Sequence, residues 1–581
     1  MSGQSFDAVV IGSGLGGMSA GAYLAAAGKR VAILERHSVI GGSSLVFRRR
    51  GRWEFDAGVH YIGDCGPTGQ VPTLMRGLGL DEHIEFLPLD RNGFDTIIGP
   101  DLRLRVPFGW DAYLENLLEA FPGEEKALRR YVSVMRALGA ALDDRARGIA
   151  TPAKFGTAIR KAGMSAPWMM APLAPFLAAC GLRPPTILAL SVQCGVVAST
   201  PMSATVGTMA GFLQNYVAKG AYYPRGGGQM LSAAFGEVIR GHGGVIRVNA
   251  QVERILIEGG KAAGVVLTTG ETIRADTVVS NADVIRTYRD LVGTEYLPAA
   301  TRARMRSWRM SLPLINGCFG VELDVDTMPN TNYFAIPSWD DAGSLPALLR
   351  MNHTLFRRNR AAADRDEWAR NFAIRQPMFV QCSTRRDPAN RFSAPAGHAS
   401  IEVQTIVPPS PALWGVGDYT TSEIESGEYR GSQPYREMKD AVMAGMRARL
   451  EQAYPGAGSR IRFSEVGTPA TQTRYTAASG GNAFGLEPNA VQTGPLRPGV
   501  GTPIAGLFIV GTSTTYGPAT EGSMISGLQA AAAVTGRDLL AEIRAGGVIA
   551  DRARIRDWDA DVDPLAVQRD LTHTQATTRV Y

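Results

Sequence analysis

Four residues near the start of the chain have the types and spacing to hold a dinucleotide: Gly12, Gly14, Gly17 and Glu35. They stand in DAVVIGSGLGG (residues 7–17) and, after a helix-like run, VAILE (residues 31–35). Gly12 permits a tight turn, Gly14 lets the backbone approach a pyrophosphate, and Gly17 allows close helix-to-strand packing. A helix beginning around Leu15 and Gly16 turns unpaired N–H groups toward the phosphates. Glu35, about 18 residues past Gly17, is placed to accept hydrogen bonds from a ribose 2′-hydroxyl, and its charge repels a 2′-phosphate. NADP is therefore disfavoured, while FAD and NAD both fit.

These groups need a strand, a turn, a helix and a second strand to hold them, which is the order in which the apolar runs and glycines occur. Immediately after Glu35 and Arg36, IGGSS (residues 40–44) can bring the amides of Gly41, Gly42 and Ser43 to the same diphosphate. Far along the chain, VERILI (252–257) and AGVVL (263–267) flank Gly259 and Gly260 as the arms of a hairpin would. Close to the other end, AGLFIVGT (505–512) reads as a strand running into a turn, and EGSMISG (521–527) opens an Ala-rich helix. Residues 110–139 have helical periodicity with a core face. Residues 164–179 are apolar, Met-rich and broken by prolines, a composition suited to a flexible hydrophobic pocket, a lipid contact or ordinary core.

The rest of the composition excludes other chemistry. The 581 residues, 45% hydrophobic, can bury a large core, and length alone corresponds to about three or four domain equivalents. Cofactor segments at both ends argue instead for fewer, discontinuous domains. The five scattered cysteines include no C-x-x-C, so neither a disulfide framework nor a redox disulfide is expected, and a reducing compartment fits best. The histidines form no zinc-ligand set, so no metal is expected. Neither a G-x-S-x-G elbow nor a Walker A sequence is present. The net charge of +6 carries no nucleic-acid motif with it, but it is compatible with attraction to an anionic membrane surface. The first strand starts too early for a secretory signal, and no apolar run reaches spanning length, so a cytoplasmic protein is expected.

The paired glycine segments resemble the flavoprotein superfamily of amine oxidases, phytoene desaturases and Rab GDP-dissociation inhibitors. Within it, FDAGVHYIG (55–63), YYPRGGG (222–228), SNAD (280–283), GTP (467–469) and AFG (483–485) resemble the phytoene desaturase, carotenoid isomerase and retinol saturase group, over roughly residues 5–540. The stretch YGPATE (516–521) departs from the common carotenoid desaturase pattern, which is richer in Gly and Pro. This resemblance implies an α/β fold in which a Rossmann-like FAD-binding domain is interleaved with a mixed-sheet α+β substrate domain. It implies FAD as the cofactor, with Gly511, Thr512, Gly522, Ser523 and Met524 at its flavin end and the backbone of Val252 at its adenine. The expected FAD-binding segments are 1–95, 216–295 and 501–545. The expected substrate-binding segments are 96–215, helical and with a membrane contact, and 296–500, and a tail follows over 546–581.

The chemistry implied is two-electron work on a carbon–carbon double bond of a long apolar isoprenoid, by saturation, desaturation or isomerisation, with the flavin carrying the redox step. His60, Tyr61, Tyr516 and Glu521 are the candidates for a direct chemical role. Expected partners are an apolar small molecule and peripherally a membrane, with no nucleic acid. Two alternatives stand beside this reading: a flavin amine oxidase, and a prenyl-protein chaperone like the Rab GDP-dissociation inhibitors.

Overall fold

The computed structural model describes residues 5–143, 151–340, 344–356, 365–559 and 561–574. Strand Ser5–Ile11 lies parallel between Val31–Leu34 on one side and Thr272–Ser280 on the other, with Ile11 opposite Leu34 and Ser280. Val31 to Leu34 are all buried, as a strand covered on both faces of a parallel sheet must be. Strands Val245–Val248 and Leu507–Ile509 extend the parallel part. The hairpin Val252–Glu258 and Lys261–Leu267 extends the sheet by pairing antiparallel with Thr272–Ser280, and with a short C-terminal strand the sheet has eight strands. Its turn residues Gly259 and Gly260 both take positive φ, +56° and +77°, as a two-residue hairpin loop requires.

Residues 546–581, expected to be a tail, are tied into this half of the molecule where they are described. Helix Pro564–Leu571 packs on helix Gln229–Gly241, strand His573–Thr574 adds an edge to the parallel sheet, and Arg48 grips Asp563 through two hydrogen bonds of 2.9 and 2.7 Å.

A second, seven-stranded sheet runs in the order Ile461–Gly467, Leu314–Val321, Ala399–Ile406, Met378–Cys382, Asn332–Ala335, Asp95–Ile98, Arg103–Val106. It is antiparallel except where Asn332–Ala335 meets Asp95–Ile98. Its strands come from both of the expected substrate-binding segments and, at Asp95, from the last residue of the first expected FAD segment. Two helices, Trp110–Ala120 and Glu125–Ala141, realise the periodic run 110–139, separated at Pro122 and Gly123. The proline-broken segment 164–179 divides its side chains: Leu173, Ala174, Phe176 and Leu177 are core, Met169 and Met170 reach a cavity, and Met164 is 96% exposed.

The architecture is thus α/β, with a Rossmann-like unit interleaved with a mixed-sheet unit. Helix Leu15–Ala26 is the pivot of the first unit. It crosses Ala519–Thr535 so closely that a Cβ on Gly527 would lie 2.4 Å from the Gly16 carbonyl oxygen and 2.6 Å from the Ala20 nitrogen. The Ser19 hydroxyl donates to the Met524 carbonyl at 2.8 Å across the same crossing.

Candidate functional site

One cavity of about 850 Å³ runs from the glycine turn of the first strand to the aromatic wall of the second sheet. At its first end Gly14 bridges Gly41, and Gly41 and Gly42 take positive φ. A Cβ on Gly42 would sit 3.1 Å from the Gly14 Cα, so the two glycine segments form one continuous backbone cradle. Leu15, Gly16, Arg36, Ser43, Val252, Gly511, Thr512 and Ser523 line the same cavity. This bare backbone beside a helix N-terminus suits a dinucleotide diphosphate.

Glu35 is buried, and its carboxylate accepts from the Ser13 N–H at 2.9 Å, the Ser13 hydroxyl at 2.6 Å and the His37 N–H at 2.8 Å. A carboxylate has about four lone-pair positions, so capacity for one ribose hydroxyl is left.

Three expected cofactor residues do not line the cavity. Gly17 is a packing glycine, because a Cβ there would lie 2.2 Å from the Gly12 oxygen. Gly522 is another, 2.4 Å from the Gly517 oxygen, and Met524 is fully buried in the core around the helix crossing. The reason for Gly14 also changes: a Cβ would meet Asn281 Nδ2 at 2.6 Å, so the amide of Asn281 closes the floor of the turn. Asn281 belongs to the SNAD run yet was not among the expected site residues. It also faces Gly16 and Gly511, with Oδ1 2.7 and 2.8 Å from the Cβ positions there.

The other end of the cavity is apolar and aromatic. Tyr61 stacks with Phe379 at 5.9 Å and meets Tyr216 at 4.7 Å, Phe334 meets Phe379 at 5.2 Å, and Met169, Met170, Val192 and Val196 complete the wall. All four candidate chemical residues, His60, Tyr61, Tyr516 and Glu521, line this cavity. Glu521, in the first turn of its helix, accepts from Asn215 at 2.5 Å. Burial pushes the phenols of Tyr61 and Tyr516 upward, so both stay protonated at neutral pH.

Behind Tyr61 and His60 lies a polar layer that sequence reading missed. His60 Nδ1 is 3.0 Å from Glu402 Oε2, and His60 Nε2 is 2.7 Å from the Gln404 amide. Asp56 accepts from the Tyr223 hydroxyl at 2.7 Å and donates its own N–H to Glu402 at 2.8 Å. Asp95 accepts from Asn332 at 2.7 Å and Gln193 at 2.8 Å. Burial, reinforced by Glu402, lifts the Asp56 carboxyl to about 7, and burial lifts Asp95 to about 7. The oxygen and nitrogen atoms of Asp56, His60 and Glu402 converge within 4.8 Å, a grouping of metal-ligating types not expected from the sequence. One signal for it was available: ASIEVQTI alternates, and its polar face, Ser400, Glu402 and Gln404, is as buried as its apolar one. A strand that buries polar residues marks an internal hydrogen-bonded layer.

A family model described as flavin containing amine oxidoreductase matches residues 15–285, the span that holds both glycine segments of the cradle. All-trans-retinol 13,14-reductase of Macaca fascicularis is 26% identical over 93% of this chain and 87% of its own length. Prolycopene isomerase 1, chloroplastic, of an Oncidium hybrid cultivar is 27% identical to this chain, over 96% of it and 88% of the isomerase. A solved oxidoreductase from Methanosarcina mazei shares the fold, with a TM-score of 0.57 and 18% identity over 90% of this chain and 99% of that one. The chain is an oxidoreductase that uses a flavin. Among its described residues no helix is long and apolar enough to cross a membrane, and the five cysteines are free and buried.

Proposed function

We propose that the flavin is noncovalent FAD and that the enzyme adds or removes hydrogen across a carbon–carbon double bond of a long apolar isoprenoid, a retinoid or carotenoid. The observation that carries this reading is the continuity of the cavity. One end is a glycine cradle for a diphosphate; the other is a wall of aromatic and methionine side chains, in which the buried Glu521 carboxylate is already bonded to Asn215. A polyene bound there loses its water shell to a surface that offers it only dispersion and ring contacts. When bound, the flavin supplies the two-electron redox chemistry. The protein's own residues orient the chain of double bonds, exclude water, and manage the accompanying proton. The retinol reductase and prolycopene isomerase names support the same substrate class.

Reduced enzyme incubated anaerobically with retinoids and carotenoids is expected to give a product two hydrogens heavier by mass spectrometry. Oxidised enzyme with an electron acceptor is expected to run the reverse reaction. Unchanged mass with altered retention identifies isomerisation. If no polyene reacts and an amine bleaches the oxidised flavin, the substrate class proposed here is wrong.

We also propose a peripheral membrane contact at the surface above this cavity. Helix Pro152–Ala162 puts Phe155 on the cavity wall while exposing Ile159, and the next turn exposes Met164. Lys154, Arg160 and Lys161 are exposed on the same segment, so cations flank an apolar tip. The protein is expected to sediment with vesicles containing phosphatidylserine at low salt, and Met164→Asp is expected to reduce the bound fraction at least about threefold. Equal binding by the variant would remove this segment from the contact.

A further inference from the structure

The polar layer behind the cavity wall holds more acid than base. Asp56, Glu402 and Asp95 are all buried, and among the described residues the one guanidinium within their hydrogen-bonded network is Arg386, itself buried. Arg386 bonds Gln381 and Asn332; Gln381 bonds Glu402 and lies 3.2 Å from His60 Nδ1; Asn332 bonds Asp95. The neighbouring charges are already matched. Glu54 pairs with Arg48 at 2.8 Å, Glu465 with Arg49 at 2.6 Å, and Asp387 faces Arg225 at 3.6 Å. Tyr61, Tyr216, Tyr223 and Cys318, which also face the layer, are all held neutral by burial. Three carboxylates facing one guanidinium cannot all stay ionised away from water, since each unmatched buried charge costs several kcal/mol. The layer must hold protons, and His60 is its member on the cavity side.

We propose that Asp56, Glu402 and His60 hold a proton in common and that the reaction at the double bond draws on it through the His60 imidazole. This rests on the alkene reading above. In saturation the His60 Nε2–H bond breaks and its proton forms a C–H bond with one alkene carbon. The other carbon takes the hydride equivalent of the reduced flavin, and the π bond is consumed. The imidazole is left neutral and regains its proton from the carboxyl pair. Desaturation reverses each of these transfers. Glu402 acts as a positioning residue, holding Nδ1 so that Nε2 meets the cavity beside Gln404. Asp56 acts as the second acceptor, close enough that Glu402 and Asp56 compete for the same proton. An amide nitrogen only donates, so Gln404 meets the neutral ring as an N–H donor to Nε2 and must turn its Oε1 to Nε2–H when the ring is protonated.

The test compares FAD-loaded wild type with Asp56→Asn, Glu402→Gln and His60→Asn. Tyr223→Phe, which removes only the hydroxyl bonded to Asp56, serves if Asp56→Asn does not fold. The first readout needs no substrate. An acid lifted from 3.8 to about 7 by folding stabilises the native state fully below 3.8, and that contribution disappears as pH rises through about 7. Wild type is therefore expected to lose thermal stability between about pH 4 and 7, with a clearly smaller loss in Asp56→Asn. The second readout is turnover of whichever polyene reacts. His60→Asn is expected to lower kcat by roughly a hundredfold or more with KM little changed, and Glu402→Gln to move the midpoint of the pH profile by about a unit. An unchanged stability slope in Asp56→Asn together with an unchanged pH midpoint in Glu402→Gln overturns the proposal. So does a stoichiometric metal ion that is lost in Asp56→Asn. If no polyene reacts, the catalytic half falls with the alkene reading, while the stability slope alone still decides whether the proton is shared.

Discussion

Gly14→Val is expected to abolish retention of the flavin through purification. The substitution places a branched carbon where the backbone of Gly14 meets Gly41 and where a diphosphate has to approach. It also drives a Cβ to 2.6 Å from Asn281 Nδ2, and Asn281 cannot simply swing away because its Oδ1 is already close under Gly16 and Gly511. Floor and cradle are disturbed together. Affinity for the flavin is expected to fall at least about a hundredfold, roughly 2.8 kcal/mol, with the ratio of flavin to protein absorbance as the measure. Far-ultraviolet circular dichroism should remain close to wild type. Full flavin occupancy in a folded Gly14→Val protein would show that the cofactor is held elsewhere.

Gly527→Val is expected to prevent formation of a stable fold. The added carbon would meet the Gly16 oxygen at 2.4 Å, the Ala20 nitrogen at 2.6 Å and the Ser19 Cβ at 2.7 Å, and two of these atoms belong to the backbone of a packed helix. No rotamer change relieves a clash of that kind, so the helices must separate and open the core that both of them bury. The cost is expected to exceed the roughly 1–3 kcal/mol usual for overpacking a core. Soluble yield and the urea midpoint should both drop sharply. Gly156→Val, where a Cβ meets nothing within 4 Å, is the matched control and should leave both close to wild type. If the two variants behave alike, the crossing is not the tight joint described here.

The two halves of the site were legible to different degrees. The turn at Gly12, the cradle of Gly41 and Gly42, the Gly259–Gly260 hairpin and the glycine turn at Gly511 could be read locally. Each depends on the conformational freedom of a residue without a side chain, and that freedom belongs to the residue itself. Even there, spacing could not assign the reason. Gly17 packs as its place in the motif implies, but Gly522 looks like a ligand-facing glycine in the one-dimensional pattern and is a packing glycine in the fold. The pattern shows where bulk is forbidden, not which neighbour forbids it. Met524 shows the same limit, since a helix start marks the backbone that can face a cofactor but not where its side chains go.

The alternation of apolar strands and glycine turns thus determined, by itself, a dinucleotide-binding α/β unit and the positions of its bare backbone. These are near-neighbour effects of steric freedom and hydrophobic period. Only the tertiary structure decided that Asn281 closes the floor of that turn and that His60 meets Glu402, 342 positions away. Only it decided that Asp56, Asp95 and Arg386 share one buried layer. A buried carboxylate is tolerated or not according to the charges and donors that surround it in three dimensions, and sequence distance carries no information about them.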